Sequence, residues 1–329
     1  MNDPGARPSF LILVGLRRIF HFPITKLPNP MNGVLIIDKP AGVTSHDVVN
    51  RVRRILGERS IGHLGTLDPM ATGVLPLVVG NFTRLAQFYL HSEKIYEGTV
   101  RFGFSTDTYD AEGEPTSESR QVTLQRQEVE TLADRFQGII EQVPPPFSAK
   151  KIKGVPAYKL ARRHQEVVLQ PVQVEIKALD ILDVDADLVR FRAHVASGTY
   201  MRSVAHDMGQ QLGCGAHLES LRRTGVAEFT LSDSHRLEEF AETAGKLLPD
   251  FFIHPRKLLP QFPSVTADES TVARIRSGRT INLAEFSGAR QVKVFSGQTD
   301  LIAIASRVAG TLFHPKIVMC AGDSVVASR

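Results

Sequence analysis

The stretch Gly62-His63-Leu64-Gly65-Thr66-Leu67-Asp68-Pro69 constrains this chain more than any other. It sets a carboxylate at the tip of a Gly-rich loop stopped by proline. The run Met70-Ala71-Thr72-Gly73-Val74-Leu75 then leads at once into an apolar, strand-like segment. Gly62 and Gly65 permit backbone angles and close approach that a Cβ resists. Pro69 restricts Asp68 to extended geometry, so its side chain is held rather than left to drift. A rigid loop presenting one Asp suits nucleophilic or general-base chemistry. By spacing alone, Leu-Asp-Pro serves equally well as a plain turn, since Asp and Pro both favour turns.

Upstream, Gly33 to Asp38 reads as a buried strand, broken by Lys39-Pro40-Ala41-Gly42. A helix should follow, capped by Thr44 or Ser45, with Asp47 in its first turn. Val48, Val49, Val52, Ile55 and Leu56 make its apolar stripe, and Gly57 ends it. Beyond the Asp68 loop the pattern predicts a strand near Val74–Val79 and a helix near Phe82–Leu90. A strand over Lys94–Phe104 carries Tyr96, and Ser105 to Thr116 is a polar, acidic loop. Glu128–Phe136 reads as helix, Val172–Val184 and Leu188–Val195 as a hairpin turning at Asp185-Ala186-Asp187, and Tyr200–Leu212 as a helix ending at Gly213. This irregular order lacks a steady β-α-β-α alternation and predicts an α+β fold rather than a doubly wound one.

At 329 residues the chain exceeds the usual size of a single core, so two domains are expected. Prolines and a basic pair interrupt the pattern near Pro255–Pro263. The expected division is an extension over 1–30, a main domain over 31–262 and a small β-rich domain over 263–329. Short strands are expected there at Val292–Phe295, Leu301–Ser306 and Lys316–Cys320. Near the start, the apolar run Phe10–Leu16 is far shorter than the roughly 20 residues of a membrane span. It also lacks the basic leader and cleavage site of a signal peptide, so Met31 is the expected true start.

A hydrophobic share of 42% and a charged share of 22% place the chain among ordinary globular proteins. Its net charge of +4 permits nucleic-acid binding without demanding it. Two cysteines, Cys214 and Cys320, are too few for a disulfide framework and fit a reducing cytoplasm. Cys214 and His217 have a Cys-x-x-His spacing but lack the four ligands of a structural zinc, so they read as packing residues.

Several motifs stand in order along residues 31–231. They are Asn32-Gly33-Val34-Leu35-Ile36-Ile37-Asp38-Lys39-Pro40, then Gly62 to Gly73, then Pro145-Pro146-Phe147-Ser148-Ala149-Lys150-Lys151 through Tyr158. Ser197-Gly198-Thr199-Tyr200-Met201-Arg202 and Gly213-Cys214-Gly215-Ala216-His217-Leu218 to Leu221-Arg222-Arg223 follow. Together they resemble the motifs of the bacterial tRNA pseudouridine synthase B (TruB) family. The resemblance implies a pseudouridine synthase catalytic domain on a mixed, mostly antiparallel sheet, followed by a PUA-like domain. It further implies isomerisation of a T-loop uridine of tRNA in the cytoplasm, by a monomer needing no cofactor, metal, membrane or obligatory protein partner.

By this resemblance Asp68 is the essential aspartate. The residues leave open whether it attacks the sugar, attacks the base or removes a ribose proton. Arg202 matches the arginine that pairs with it, and a cation is physically desirable because desolvation alone favours the neutral acid. Tyr96 matches a tyrosine that stacks on the target base; core packing is its alternative. Tyr200 and Leu221 match residues of the uracil pocket, with core packing again open for Leu221. His63 matches a residue that rearranges the T loop and holds the flipped nucleotide's place. Lys39, of the Lys-Pro motif, and Asp110, of a Thr-Asp-Thr-x-Asp pattern with Asp107, join the RNA and base-flipping group. Turn capping is an alternative for both aspartates.

From Ser148 to His164 the chain carries Lys150, Lys151, Lys153, Lys159, Arg162 and Arg163 and no acidic residue. Phosphate neutralisation is the plain use of such a run, and a solvated face is the alternative. Two other functions compete with a stand-alone synthase: an RNA chaperone whose catalysis is incidental, and a guide-RNA-dependent synthase. Recognition of free tRNA needs inserted contact segments, for which the Pro145 to Arg163 stretch is a candidate.

Overall fold

A computed structural model describes residues 31–319, apart from 149, 153, 164 and 166. Residues 1–30, Lys153 and Cys320 therefore lie outside the described residues, with the expectations attached to them.

The strand Gly33–Lys39 is buried along nearly its whole length. After it, Thr44 and Asp47 form a reciprocal capping box at the start of the helix Ser45–Leu56. Val48, Val49, Val52 and Leu56 face inward, and Gly57 ends the helix in the left-handed region, at φ 65°. The strand Thr72–Val79 returns antiparallel to Gly33–Lys39, pairing Val79 with Gly33 and Gly73 with Lys39. Where an α-helix was expected near Phe82–Leu90, the chain forms a 3-10 helix, Gly80–Phe88. Gly80 has φ 62°, and a Cβ there would lie 1.9 Å from the Met31 carbonyl, so this tight entry requires glycine.

Among the described residues the large sheet has ten strands. Its main path runs His235–Arg236, Gly33–Lys39, Thr72–Val79, Ala216–Val226, Lys94–Phe102, Leu188–Val195, Val172–Asp185, Gly138–Gln142. Ile61–His63 pairs beside Thr72–Val79, and Phe229–Thr230 beside Ala216–Val226. Two of its pairings are parallel, Gly33–Lys39 with His235–Arg236 and Thr72–Val79 with Ala216–Val226; the others are antiparallel. The sheet is thus mixed and mostly antiparallel, in an α+β fold. The hairpin turns where expected, with Ala186 at φ 52°.

The second parallel contact is short and central: Arg222 faces Thr72 and Arg223 faces Gly73. Gly73 has φ 102°, and a Cβ on it would lie 2.2 Å from the Arg223 carbonyl oxygen, so only glycine fits this crossing. The helix Met201–Gln211 covers the sheet through Met201, Val204, Ala205 and Met208, which share one core with Val100, Phe191 and Leu218. The helix therefore enters the core one residue after Tyr200.

Toward the C-terminus a β-rich domain follows. Its five strands run in the order Ser264–Ala267, Gln291–Ser296, Asp300–Ala309, Leu312–Val318, Ile281–Asn282. The third expected strand starts earlier than Lys316 and ends at Val318. A helix, Glu269–Arg276, caps on Asp268, which accepts from Thr271 N at 2.7 Å. Phe295, Leu301, Ile304 and Ile317 join Val34, Ile36, Val78 and Phe82 in one apolar cluster, which ties this sheet to the larger one. No helix among the described residues is long and apolar enough to cross a membrane.

Candidate active site

The Asp68 loop is held from two sides. Lys39, fully buried at the end of its strand, donates from Nζ to the carbonyls of Pro40 at 2.9 Å and Pro69 at 3.1 Å. Gly42 N also donates to the Pro69 carbonyl, at 2.9 Å. Ser45, at the start of the first helix, donates from Oγ to the Leu67 carbonyl at 3.0 Å and accepts from Leu67 N at 2.8 Å. From the other side comes Arg223, itself fully buried. It donates to the carbonyls of Val74 at 2.8 Å, Gly65 at 3.0 Å and Thr66 at 3.3 Å. With these main-chain groups satisfied, Asp68 projects from a fixed loop and keeps 38% of its side chain exposed.

Arg202 is its ion-pair partner, with Nε 2.9 Å from Asp68 Oδ2. The Nε–H does not line up with that oxygen, so the contact is electrostatic rather than a formed hydrogen bond. The buried guanidinium donates from Nη1 to the Thr108 carbonyl at 3.1 Å and from Nη2 to the Phe147 carbonyl at 2.9 Å. A second carboxylate, Asp110 Oδ2, lies 3.5 Å from Nη1. Asp110 is held in turn by Thr108 Oγ1 at 2.6 Å and Glu112 N at 3.1 Å. Burial, with the charges of Asp110 and Asp68 behind it, raises the Glu112 carboxyl above its ordinary range. By accepting from Glu112 N, Asp110 caps a turn two residues on, while Asp107 bridges across the loop, accepting from Glu114 N at 2.9 Å.

A cavity of about 340 Å³ opens over this pair, and Asp68, Tyr96, Tyr200, Arg202, Leu221 and His63 all line it. Tyr96 and Leu221 are each 8% exposed, their remaining surface turned to the cavity, so both pack in the core and form its wall. Tyr96 also interacts with Arg223, opposing the effect of burial, which lowers the pKa of that guanidinium. Burial raises the Tyr200 hydroxyl, which also interacts with Ser148. His63 is lowered first by burial and then by Arg223, which keeps its ring neutral at neutral pH. Lys94, missed by sequence reasoning, adds a cavity cation whose pKa burial pushes down to about 8.

Lys39 and Asp110, expected in the RNA and base-flipping group, lie under the Asp68 loop. Lys39 is fully buried and Asp110 is 4% exposed, both beneath the loop. The reason is electrostatic: a buried charge must be matched, and these two face carbonyls and opposite charges around Asp68 and Arg202. Lys150 and Lys151, by contrast, are exposed, as are Arg162 and Arg163. They flank a small hairpin, Lys151–Ile152 with Val155–Pro156, and the short helix Ala157–Ala161. Tyr158 N donates to the carbonyl of Ser148, a cavity residue, at 3.0 Å, so the basic segment starts at the cavity rim. Cys214 and His217 pack as expected, the His217 ring 4.6 Å from that of Phe104. Sequence reading offers Ser45 only as a helix cap, not as a clamp on Leu67, and Arg223 only as part of a motif, since nothing in its residue type announces burial.

The model of the TruB family pseudouridylate synthase N-terminal domain matches residues 53–201. That of the tRNA pseudouridylate synthase B C-terminal domain matches residues 202–249. A tRNA pseudouridine synthase B from Solibacter usitatus is 52% identical over 293 residues, 88% of this chain and 100% of that protein. The chain belongs to the TruB family. A second TruB-family relative, the tRNA pseudouridine synthase B of Aquifex aeolicus, is 37% identical over 292 residues, covering 88% of this chain and 100% of its own. Among solved structures, a chain of an H/ACA RNP bound to a substrate RNA containing 2'-deoxyuridine aligns with a TM-score of 0.62. It is 23% identical and covers 89% of this chain and 83% of its own, a likeness of fold. The two TruB-family matches meet between Met201 and Arg202, within the cavity wall.

Proposed function

We propose that this chain is a stand-alone tRNA pseudouridine synthase that isomerises a T-loop uridine in the cytoplasm. The observation that carries the reading is the ion pair of Asp68 with buried Arg202, under a cavity whose wall includes Tyr89, Tyr96 and Tyr200. In the reaction the bond from ribose C1′ to uracil N1 breaks, the base turns, and a bond from C1′ to C5 forms. The C5 proton is lost and N1 gains one, so no atom is added or removed overall. Asp68 acts as nucleophile or base at the glycosidic bond, with the Arg202 guanidinium against its carboxylate.

The uridine must leave its stack, at a cost of a few kcal/mol. Tyr96 offsets part of that cost by stacking on the uracil, worth roughly 1–3 kcal/mol. Tyr200 and Leu221 close the pocket round the base, and neutral His63 fills its place in the T loop. Lys150, Lys151, Arg162 and Arg163 neutralise phosphates of the T arm. Lys39 and Asp110 act from below by fixing the loop and Arg202. Residues 31–262 form the catalytic domain and 263–329 a PUA-like domain, working as a monomer without cofactor or metal.

Purified protein mixed with a tRNA transcript alone, followed by residue-resolved pseudouridine mapping, tests this. One new pseudouridine in the T loop is expected. Tight tRNA binding without conversion favours a chaperone, and conversion only on adding a guide RNA favours a guided synthase; either result overturns the proposal.

A further inference from the structure

The helix carrying Arg202 begins at Tyr200, a residue whose side chain makes no capping hydrogen bond. Something else must set where the helix starts, because Tyr200 and Arg202 both face the cavity and a small slip displaces both. Gln142 occupies that place. It ends the edge strand Gly138–Gln142, is 1% exposed, and lies 58 residues before Tyr200. Its Oε1 accepts from Tyr200 N at 2.8 Å, and its Nε2 donates to the Tyr200 carbonyl at 3.1 Å. One amide thus bonds both main-chain groups of a single residue, whose carbonyl also accepts the first helical bond from Val204 N at 3.2 Å, and only this orientation of oxygen and nitrogen does so.

The contact continues along the following segment. Ser203 Oγ donates to the Val143 carbonyl at 2.8 Å, and Arg202 Nη2 to the Phe147 carbonyl at 2.9 Å. Gln142 anchors this seam at its beginning, where Ser203 and Arg202 reach only carbonyls farther along.

We infer that Gln142 is a positioning residue of the synthase reaction, fixing the Tyr200 main chain so that the Tyr200 ring and the Arg202 guanidinium meet Asp68 and the base in register. It touches neither the cavity nor Asp68 and acts only through Tyr200. The inference rests on the synthase reading above. Its size follows from the sensitivity of oriented groups, where a displacement near 1 Å costs about 100-fold in rate.

Gln142→Met keeps the length and removes both hydrogen bonds. The wild type is run beside it, so a failed synthase reading shows as no pseudouridine in either protein. With an active wild type, Gln142→Met should lower the single-turnover rate at saturating tRNA by roughly 10- to 100-fold while tRNA affinity holds. A second readout needs no turnover. The chain has five tyrosines, so 3-fluorotyrosine labelling gives five fluorine resonances, with that of Tyr200 assigned by its loss in Tyr200→Phe. In Gln142→Met the Tyr200 resonance should move while that of Tyr89 stays. An unchanged rate, a slowed rate with an unmoved Tyr200 resonance, or a loss confined to tRNA affinity each overturns the inference. If Gln142→Met unfolds, with all five resonances collapsing, the same criteria apply to Gln142→Glu, which keeps the acceptor for Tyr200 N.

Discussion

The ammonium of Lys39 donates to the carbonyl of Pro69, the residue directly after Asp68. Burial pushes its pKa from an ordinary 10.5 down to about 8, against the pull of Asp68. Between those values the unfolded chain binds more protons than the folded one, so this site's contribution to stability rises with pH across that window. Urea denaturation across it should show wild type gaining on Lys39→Met as pH rises. A constant difference would contradict the shift.

Ser45→Ala strips the loop of a paired donor and acceptor, leaving Leu67 N and O unsatisfied in a buried setting. The expected loss is about 1–3 kcal/mol of unfolding free energy. Turnover should fall further than the folded fraction explains, because the loop carrying Asp68 loosens. Denaturation and kcat measured on the same preparation check this.

Asp68→Asn retains the shape of the side chain and removes its charge. Pseudouridine formation should drop by about 10⁴-fold or more, while tRNA affinity stays near wild type. Filter binding and single-turnover mapping separate the two quantities.

Arg202→Met leaves two carboxylates, Asp68 and buried Asp110, without their cation. Breaking a buried pair from one side costs about 3 kcal/mol or more, so the variant should unfold early as well as lose turnover. Adding Asp110→Asn should return part of the stability and none of the activity, as thermal melts and rates will report.

Replacing Lys150 and Lys151 together with Gln should flatten the salt dependence of tRNA binding, lowering the slope of log K against log salt by about 1 to 2. Both side chains are exposed, so folding should be unaffected. An unchanged slope would mark a merely solvated face.

Local signals carried the periphery of the fold well. The Thr44–Asp47 box, the stripe ending at Gly57 and the turn at Ala186 are short-range features that residue types announce. The strand Ala216–Val226 was not legible as a strand, although it lies inside the sheet. Its register shifts at Leu218/Ser220 and again at Arg223/Gly225, so its alternation is broken. It also buries His217 and Arg223, residues that hydropathy assigns to a surface. The cavity residues Asp68, Tyr96, Tyr200, Arg202 and Leu221 were reached through motif resemblance, not periodicity. Lys39 and Asp110 show the limit of that route: a motif says that a charge belongs near the chemistry, while only packing decides which side of the loop it occupies.

Arg223 grips the carbonyl of Thr66 from 157 positions farther along the chain. Synthesis proceeds from the other end, so a nascent polypeptide exposes its Lys-Pro strand, its first helix and its aspartate long before that clamp leaves the ribosome. Contacts across so wide a contour raise the contact order, which slows folding. A translation product truncated before Arg223 is then expected to carry every loop residue and no clamp on the carbonyls of Gly65 and Thr66.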